Sequence, residues 1–385
     1  MTPGLQPKQL ISALRPRLSQ MVDLLRELTL LESPSTEKAA ADHCCGFLAG
    51  QWMLRGGITH ILKREQRGNH LRVVWPPADL EPTGQLLVLG HYDTVYPTGT
   101  LEKMPFHVSG GKAYGPGTFD MKAGIVQALF AFEVLQELKL PVTKNIVFLW
   151  TSDEEIGSES SRSLIEEEAK RSSAVFVLEP SLGLRGLLKT SRKGVGQAEL
   201  VIDGRASHAG LAPEEGINAI HEIAAQIARI ERWNNHRRGV TINADIVEGG
   251  SRANVIAEHA KAILDLRAWR PADMHTLEGK LHSLKPIHRG AKIKITGGFD
   301  RPPLERKHSA ALFARAKSLA KQMGFAVGEA AAGGGSDGNF TAALGIPTLD
   351  GLGAVGDGAH STQEHVVVKA MPQRAALLAA LLATC

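Results

Sequence analysis

The chain has 385 residues, 43% hydrophobic, 22% charged and 5% aromatic, enough apolar material for one large core or two and too much for a disordered state. Its longest apolar run, Ala375 to Ala383, is about half of the roughly 18 residues of a membrane span, and Met1 to Leu10 has no basic patch leading into an apolar stretch, so neither a bilayer crossing nor a secretory signal is expected. Basic residues outnumber acidic ones by 44 to 40 with no polybasic run, which implies no nucleic acid and no acidic membrane as partner.

In chain order, residues 7–31 space Leu10, Leu14, Leu18, Met21, Leu25 and Leu28 as one amphipathic helix. Leu86–Gly90, Asn145–Thr151 and Ala174–Leu178 are short apolar runs with breakers nearby, predicted as buried strands. Helices are predicted over Lys122–Leu138 and Ser161–Lys170. Strand alternating with helix implies an α/β domain of three layers with a mostly parallel central sheet.

From Lys193 the pattern changes. Gln197–Ile202, Val240–Ile246, Lys261–Arg267 and Ala291–Ile295 read as strands, Glu214–Trp233 as a long helix and Met274–Leu284 as another. That makes a smaller α+β module, a four-stranded sheet with two helices. After Pro302 and Pro303, helices are predicted at Ser309–Met323 and Pro372–Ala383 around a short strand at Ile346–Leu349. Residues 1–192 and 301–385 are thus expected to form one domain, interrupted by an inserted domain at 193–300.

Glycine, at 40 residues, exceeds the roughly 7% norm and gathers in loops beside histidines and acids, where it permits close backbone approach. Gly90-His91-Tyr92-Asp93-Thr94-Val95 ends a predicted strand, where ligands collect in such sheets. Residues two apart in extended backbone point the same way, so His91 can take a metal while Asp93 holds the other ring nitrogen. Tyr114 to Lys122 is a glycine-rich loop leading to Asp120, which could cap the helix that follows or bridge two cations with its two oxygens. The adjacent acids of Ser152-Asp153-Glu154-Glu155-Ile156-Gly157-Ser158 repel one another unless a divalent cation takes one and leaves its neighbour as a general base. Leu178-Glu179-Pro180 adds an acid at another strand end, and Gly358-Ala359-His360-Ser361 follows the glycine-rich segment 333–339. His, Asp, Glu, Glu and His at like ends of one sheet form a nitrogen and oxygen set suited to two zinc ions, with Glu154 left as base.

With Ala206-Ser207-His208-Ala209-Gly210, these motifs span residues 90 to 361 and resemble, in order, the di-zinc exopeptidase and deacylase family of glutamate carboxypeptidase, acetylornithine deacetylase, succinyl-diaminopimelate desuccinylase and aminoacylase. The resemblance implies that His91 and Glu179 bind one zinc, Glu155 and His360 the other, and Asp120 bridges both; cobalt or manganese can occupy such sites. It implies that Asp93 orients His91, that Glu154 is the general base, and that the Asp120–Met121 peptide is cis. The 193–300 module would be a lid through which the chain forms a homodimer, with His208 polarising the scissile carbonyl in the neighbouring subunit. Asn254 and Arg267 would bind the substrate carboxylate, the arginine fork pairing two oxygens at once. Segments 333–339 and 349–360 look most like the glutamate carboxypeptidase branch. The basic residue which that branch uses near the lid could be Arg185, Lys189 or neither, and the role of Lys193 is open.

The expected activity is therefore zinc-dependent hydrolysis of the amide bond of a peptide or N-acyl amino acid with a free carboxylate. The alternatives are a deacylase such as acetylornithine deacetylase and a non-catalytic peptide-binding relative, against which the intact Glu154 and ligand set count. Gly351 to Gly356 is a literal G-x-G-x-x-G, but no apolar helix opens behind it, which argues against a dinucleotide fold. A serine or cysteine hydrolase needs a nucleophile in an elbow motif or a cysteine near a histidine in a strand-end loop, and neither is expected here. Cys44, Cys45 and Cys385 form no metal or redox spacing, so a reducing, cytoplasmic setting is expected.

Overall fold

A computed structural model describes residues 6–76, 81–140 and 142–385; the first five residues of the segment read for a signal lie outside the described residues. The single helix expected over 7–31 is two, α1 (Pro7–Leu14) and α2 (Leu18–Leu30), separated by a 3-10 turn at Arg15–Arg17 where Pro16 has no N–H for the helical ladder. There follow α3 (Lys38–Leu54), β1 (Ile58–Leu62), β2 (His70–Trp75), β3 (Gln85–His91), β4 (His107–Ser109), β5 (Lys112–Tyr114), α4 (Ala123–Glu137), β6 (Asn145–Thr151), α5 (Arg162–Lys170), β7 (Ala174–Val177) and β8 (Leu188–Arg192). The middle of the chain holds β9 (Gly194–Asp203), α6 (Ala219–Glu231), β10 (Thr241–Gly249), β11 (His259–Ala268), α7 (Pro271–His282) and β12 (Lys292–Arg301). The last part holds α8 (Arg306–Gln322), β13 (Glu329–Ala332), α9 (Gly338–Ala343), β14 (Thr348–Leu349), β15 (Gly356–Asp357), β16 (His365–Val367) and α10 (Met371–Thr384).

Two compact units result: Met1–Ser191 with Arg306–Ala332 and Ser336–Cys385, and Arg192–Glu305 with Gly333–Gly335. The first is built on a six-stranded sheet in the order β1-β2-β6-β3-β7-β14. From β6 to β14 the neighbours are parallel, while β2 runs antiparallel to both β6 and β1. β3, β6 and β7 are buried almost throughout, as their unbroken apolar runs require of strands covered on both faces. One face, with Val88, Phe148 and Phe176, packs on α1 to α4, α8 and α10; the other, with Leu89, Leu149 and Val177, packs on α5 and α9. Three layers follow, as expected for the α/β class.

The second unit is a four-stranded antiparallel sheet, β10-β11-β9-β12, with α6 and α7 against one face through a separate core of Leu200, Ile202, Ile223, Leu264, Leu266 and Leu277. Its long helix starts later than Glu214. Pro213–Glu215 forms a 3-10 turn, and α6 begins after Asn218, whose side-chain oxygen accepts from the backbone N–H of Ile220 at 3.0 Å and of His221 at 3.2 Å.

Candidate metal centre

Because β3, β6 and β7 are parallel neighbours, their carboxyl ends open on one edge. β3 ends on His91, β6 leads into the 3-10 turn Glu154–Ile156, and Glu179 follows β7. Asp120 comes from the irregular segment Thr118–Lys122, and His360, at φ 61°, from the loop after β15. The Asp120–Met121 peptide is cis. Asp120 does not cap α4, whose N-terminus has no side-chain cap. The approach loop needs glycine at Gly117, where φ is +69° and a Cβ would come within 2.5 Å of Thr94 Cγ2.

His91 Nε2 lies 3.3 Å from Asp120 Oδ1 and 3.3 Å from Glu179 Oε1. His360 Nε2 lies 3.6 Å from Asp120 Oδ2 and 3.1 Å from Glu155 Oε2. Two groups of potential ligand atoms, His91/Asp120/Glu179 and Asp120/Glu155/His360, thus each fall within 4.8 Å and share Asp120, which turns one oxygen to each. The side chains fit a divalent pair on a further count: His91 Nε2 and Asp120 Oδ1 are buried with no hydrogen-bond partner. Such orphans cost about 1–3 kcal/mol each, and a cation between them removes that cost.

The electrostatics agree. Burial pushes the Glu155 carboxyl up to about 8, with the charges of Asp120 and Glu154 adding to it and His360 opposing. The hydrogen bond to Glu155 raises His360 to about 9. For His91, burial works against the charged ring, but Asp120, Asp93 and Glu179 outweigh it and lift its pKa well above the ordinary value. Acids crowded around two imidazoles drawn toward their cationic form are a site that favours positive charge.

Asp93 is fully buried, and its carboxylate accepts from Ser35 Oγ at 2.6 Å and from the backbone N–H of Glu154 and Glu155 at 3.3 and 3.2 Å. Burial alone would raise its pKa; His91 and these donors hold it below the usual carboxylate range. The closest partner of His91 Nδ1 is the Asp93 backbone carbonyl at 3.1 Å, with the carboxylate at 3.4 Å, so the residue steers the ring with both. One acceptor that sequence reasoning missed is Glu364, fully buried, whose carboxylate accepts from the N–H of Gly117 (3.1 Å), Phe119 (2.8 Å) and Asp120 (3.0 Å) and from Tyr96 Oη (2.7 Å). Its only sequence signal is an acid shortly after His360.

His208, Asn254 and Arg267 belong to the second unit, and the candidate ligands above belong to the first. His208 is exposed, and its Nδ1 accepts from the N–H of Gly210 and Leu211, both at 3.2 Å, which leaves the neutral ring with its proton on Nε2. The Asn254 carbonyl accepts from Ala209 N–H at 2.9 Å and ties the two loops together. Arg267 already forks Asp265, through Nε at 2.9 Å and Nη2 at 2.8 Å. Lys193 Nζ sits 5.5 Å from the centre of the Trp269 ring. In the first unit, Lys189 Nζ lies 3.8 Å from Glu179 Oε2, and Arg185 is exposed.

Two glycine motifs have structural explanations. Arg374, buried, donates to the carbonyls of Gly351, Gly353 and Gly186, and a Cβ on Gly353 would fall 2.1 Å from Leu178 O, so the G-x-G-x-x-G letters describe a loop packed against the end of β7. Gly334 to Gly338 does spell the serine elbow pattern G-x-S-x-G, which corrects the expectation that the chain has no such elbow. Ser336 is fully buried and donates to Asp350 Oδ2 at 2.6 Å, so it is no exposed nucleophile.

Residues 87–384 match the peptidase family M20/M25/M40. Carboxypeptidase G2 of Pseudomonas sp. is 35% identical over 77% of this chain and 73% of its own length. Succinyl-diaminopimelate desuccinylase of Paraburkholderia xenovorans is 28% identical over 74% of this chain and 79% of its own. In fold, the chain is similar to aminopeptidase PepT of Bacillus cereus, at a TM-score of 0.76 with 22% identity over 95% of this chain and 98% of that one.

Proposed function

The chain belongs to peptidase family M20/M25/M40 and is a metal-dependent hydrolase of amide bonds, and from that premise we propose that it is a di-zinc exopeptidase whose leaving group is an amino acid with a free carboxylate. The observation that carries this reading is the pair of ligand groups joined at Asp120. In the proposed arrangement His91 and Glu179 would hold one ion and Glu155 and His360 the other, with Asp120 offering a carboxylate oxygen to each; cobalt or manganese could replace zinc. Two such ions, when bound, would supply Lewis acidity toward a water and the scissile carbonyl.

The protein's own groups do the rest. Glu154, next to ligand Glu155 on the turn after β6, takes the proton of the attacking water and delivers it to the leaving nitrogen. Asp93 fixes the ring of His91, and its two bonds to the N–H groups of Glu154 and Glu155 hold the base and a ligand in one rigid turn. His208 is assigned to the developing oxyanion of a partner's substrate, a role supported by the Nε2 proton that its hydrogen bonds impose. Asn254 and Arg267 are assigned to the substrate carboxylate; Arg267 would have to share its fork with Asp265.

A homodimer through the second unit is part of the proposal. It is supported by the exposed Ile246 and Val247 on β10, an edge strand of that unit's sheet. A reducing, cytoplasmic compartment is proposed from the buried thiols Cys44 and Cys45; among the described residues no helix is long and apolar enough to cross a membrane. Glutamate as the released amino acid is proposed from the resemblance of segments 333–339 and 349–360 to the glutamate carboxypeptidase branch, and the likeness to a carboxypeptidase makes acetylornithine deacetylation the less favoured alternative.

The test is metal analysis joined to a substrate panel: N-acyl and dipeptide substrates ending in glutamate, alanine or ornithine. About two divalent ions per chain and fastest release of glutamate are expected. Preference for acetylornithine would move the assignment to the deacetylase, and no hydrolysis by the metal-loaded protein would leave a peptide-binding relative.

A further inference from the structure

Joined to the turn that carries Glu154 and Glu155 is a buried polar chain to which the reading above gives no role. β2 runs antiparallel to β6 with Leu71 opposite Trp150, so His70, the first residue of β2, comes to lie beside the segment that follows β6. His70, Ser152 and Asp153 are fully buried. The His70 ring bridges the two ends of that segment: Nδ1 lies 3.2 Å from Ser152 Oγ, and Nε2 lies 3.0 Å from Ser160 Oγ. Ser160 in turn donates to Asp153 Oδ2 twice, from its backbone N–H and from its hydroxyl, both at 2.7 Å. Asp153 Oδ1 has no hydrogen-bond partner, so among the described residues Ser160 alone hydrogen-bonds this buried carboxylate.

Proton counting gives the chain a direction. A serine hydroxyl has one proton, and that of Ser160 goes to the carboxylate, which cannot donate and makes the stronger bond. Ser160 Oγ can therefore only accept from His70, so Nε2 carries a proton in either charge state of the ring. Burial lowers the His70 pKa, with Asp153 opposing and Arg64 adding to it, so at neutral pH the ring is neutral and Nδ1 is its bare nitrogen. The Ser152 hydroxyl donates to Gly68 O at 2.6 Å, which leaves the Nδ1 contact the weaker of the two. His70 Nε2–H, Ser160 O–H and Asp153 Oδ2 thus form one polarised series in which each bond strengthens the next. Asp153 also closes the turn: its backbone carbonyl accepts from Ser158 N–H at 2.7 Å and from Ile156 N–H at 3.4 Å. We infer that His70 is a positioning residue which, through Ser160 and Asp153, fixes the turn that presents Glu154 to the reaction. The inference rests on the reading of Glu154 as general base and deepens it. A base must stay within hydrogen-bond reach of the proton it takes, and a misplacement of about 1 Å can cost about 10²-fold in rate.

The experiment measures kcat, KM and metal content of the full-length, metal-loaded wild type, His70→Asn, His70→Gln, Ser160→Ala and Glu154→Gln, with the panel substrate that the wild type hydrolyses fastest. Glutamine puts an N–H donor about where the ring carries Nε2, and asparagine about where it carries Nδ1. His70→Asn should therefore lower kcat by about tenfold with KM within about twofold of wild type and metal content unchanged, while His70→Gln should bring kcat back to within about threefold of wild type. Ser160→Ala, on a half-buried residue, should lower kcat at least as far as His70→Asn, and adding His70→Asn to it should lower kcat no further. Equal loss in the asparagine and glutamine variants, wild-type kcat in His70→Asn, or a loss that follows metal content would overturn the positioning role. Wild-type kcat in Ser160→Ala would overturn it whether or not the His70 variants fold. In each of these cases an inactive Glu154→Gln leaves the general-base reading standing. Near-wild-type kcat in Glu154→Gln, or no hydrolysis of any panel substrate by metal-loaded protein, would overturn both.

Discussion

Glu154 and Glu155 are adjacent carboxylates with different environments. Glu155 meets His360 at 3.1 Å and belongs to a ligand group, whereas Glu154 belongs to neither group. Glu154→Gln keeps the size of the side chain and removes its basicity, so metal content should stay at the wild-type level while kcat falls by about 10²- to 10⁴-fold. Loss of metal together with activity would show that Glu154 is a ligand instead. Glu364 acts one step further out. Its carboxylate takes three backbone N–H groups from the loop that carries Asp120, and an amide in its place would turn an NH₂ toward some of those donors. Glu364→Gln should weaken metal binding by about 10- to 100-fold, read by titration against a chelator. Tyr96→Phe, which removes one of the four bonds, should weaken it less. Equal metal affinity in all three proteins would reduce Glu364 to a packing residue.

At the scale of elements, the second unit contains a buried acid with a testable pH signature. Glu222 on α6 accepts from Gln226 Nε2 at 2.7 Å, from the N–H of Ile287 at 3.0 Å, and from His288 N–H and Nδ1, both at 2.7 Å. Burial by itself raises its pKa, but these donors outweigh it and hold the carboxyl below 4.5. A depressed folded-state pKa contributes stability that is present above the unfolded value and is lost as pH falls through the folded one. Glu222→Gln should therefore destabilise the unit by about 1–3 kcal/mol at neutral pH, and the gap to wild type in urea unfolding should close below pH 4.5. A gap that stays constant from neutral to acid would show that the charge contributes nothing.

Elements were readable where the signal is local. β3, β6 and β7 are unbroken apolar runs, and α4 and α10 are apolar on nearly every side. α3 escaped because its buried stripe, Ala41, Cys44, Cys45, Leu48, Ala49 and Trp52, is built mostly of small side chains with Gly46 and Gly50 between them. β2 escaped because Arg72 interrupts its apolar positions, and only the folded chain brings Glu168 to 2.8 Å from it. The candidate ligands were readable as acids and histidines at strand ends beside glycine. Glu364, the buried Ser336 and the Asp265 partner of Arg267 were not, because their roles depend on which groups folding brings against them.

For the whole molecule, the proposed assembly turns on His208, which lies in the second unit while every candidate ligand lies in the first. β10 leaves Ile246 and Val247 exposed on a sheet edge, and an uncovered apolar edge invites pairing with a second copy. The dimer should run in solution at twice the 41.3 kDa of the chain, and Val247→Lys should shift it toward monomer. Complementation then decides whether His208 works across it. His208→Ala alone and Glu154→Gln alone should each be nearly inactive, with metal content unchanged. In a mixed dimer, the intact Glu154 of one subunit meets His208 of the partner subunit, so one of its two sites is whole. Random exchange makes half the dimers mixed, so the mixture should recover about a quarter of wild-type activity. Recovery requires subunit exchange, which a two-tag pull-down of the same mixture reports. Exchange without recovery would place His208 in its own subunit's site, and full activity of His208→Ala alone would remove it from the reaction.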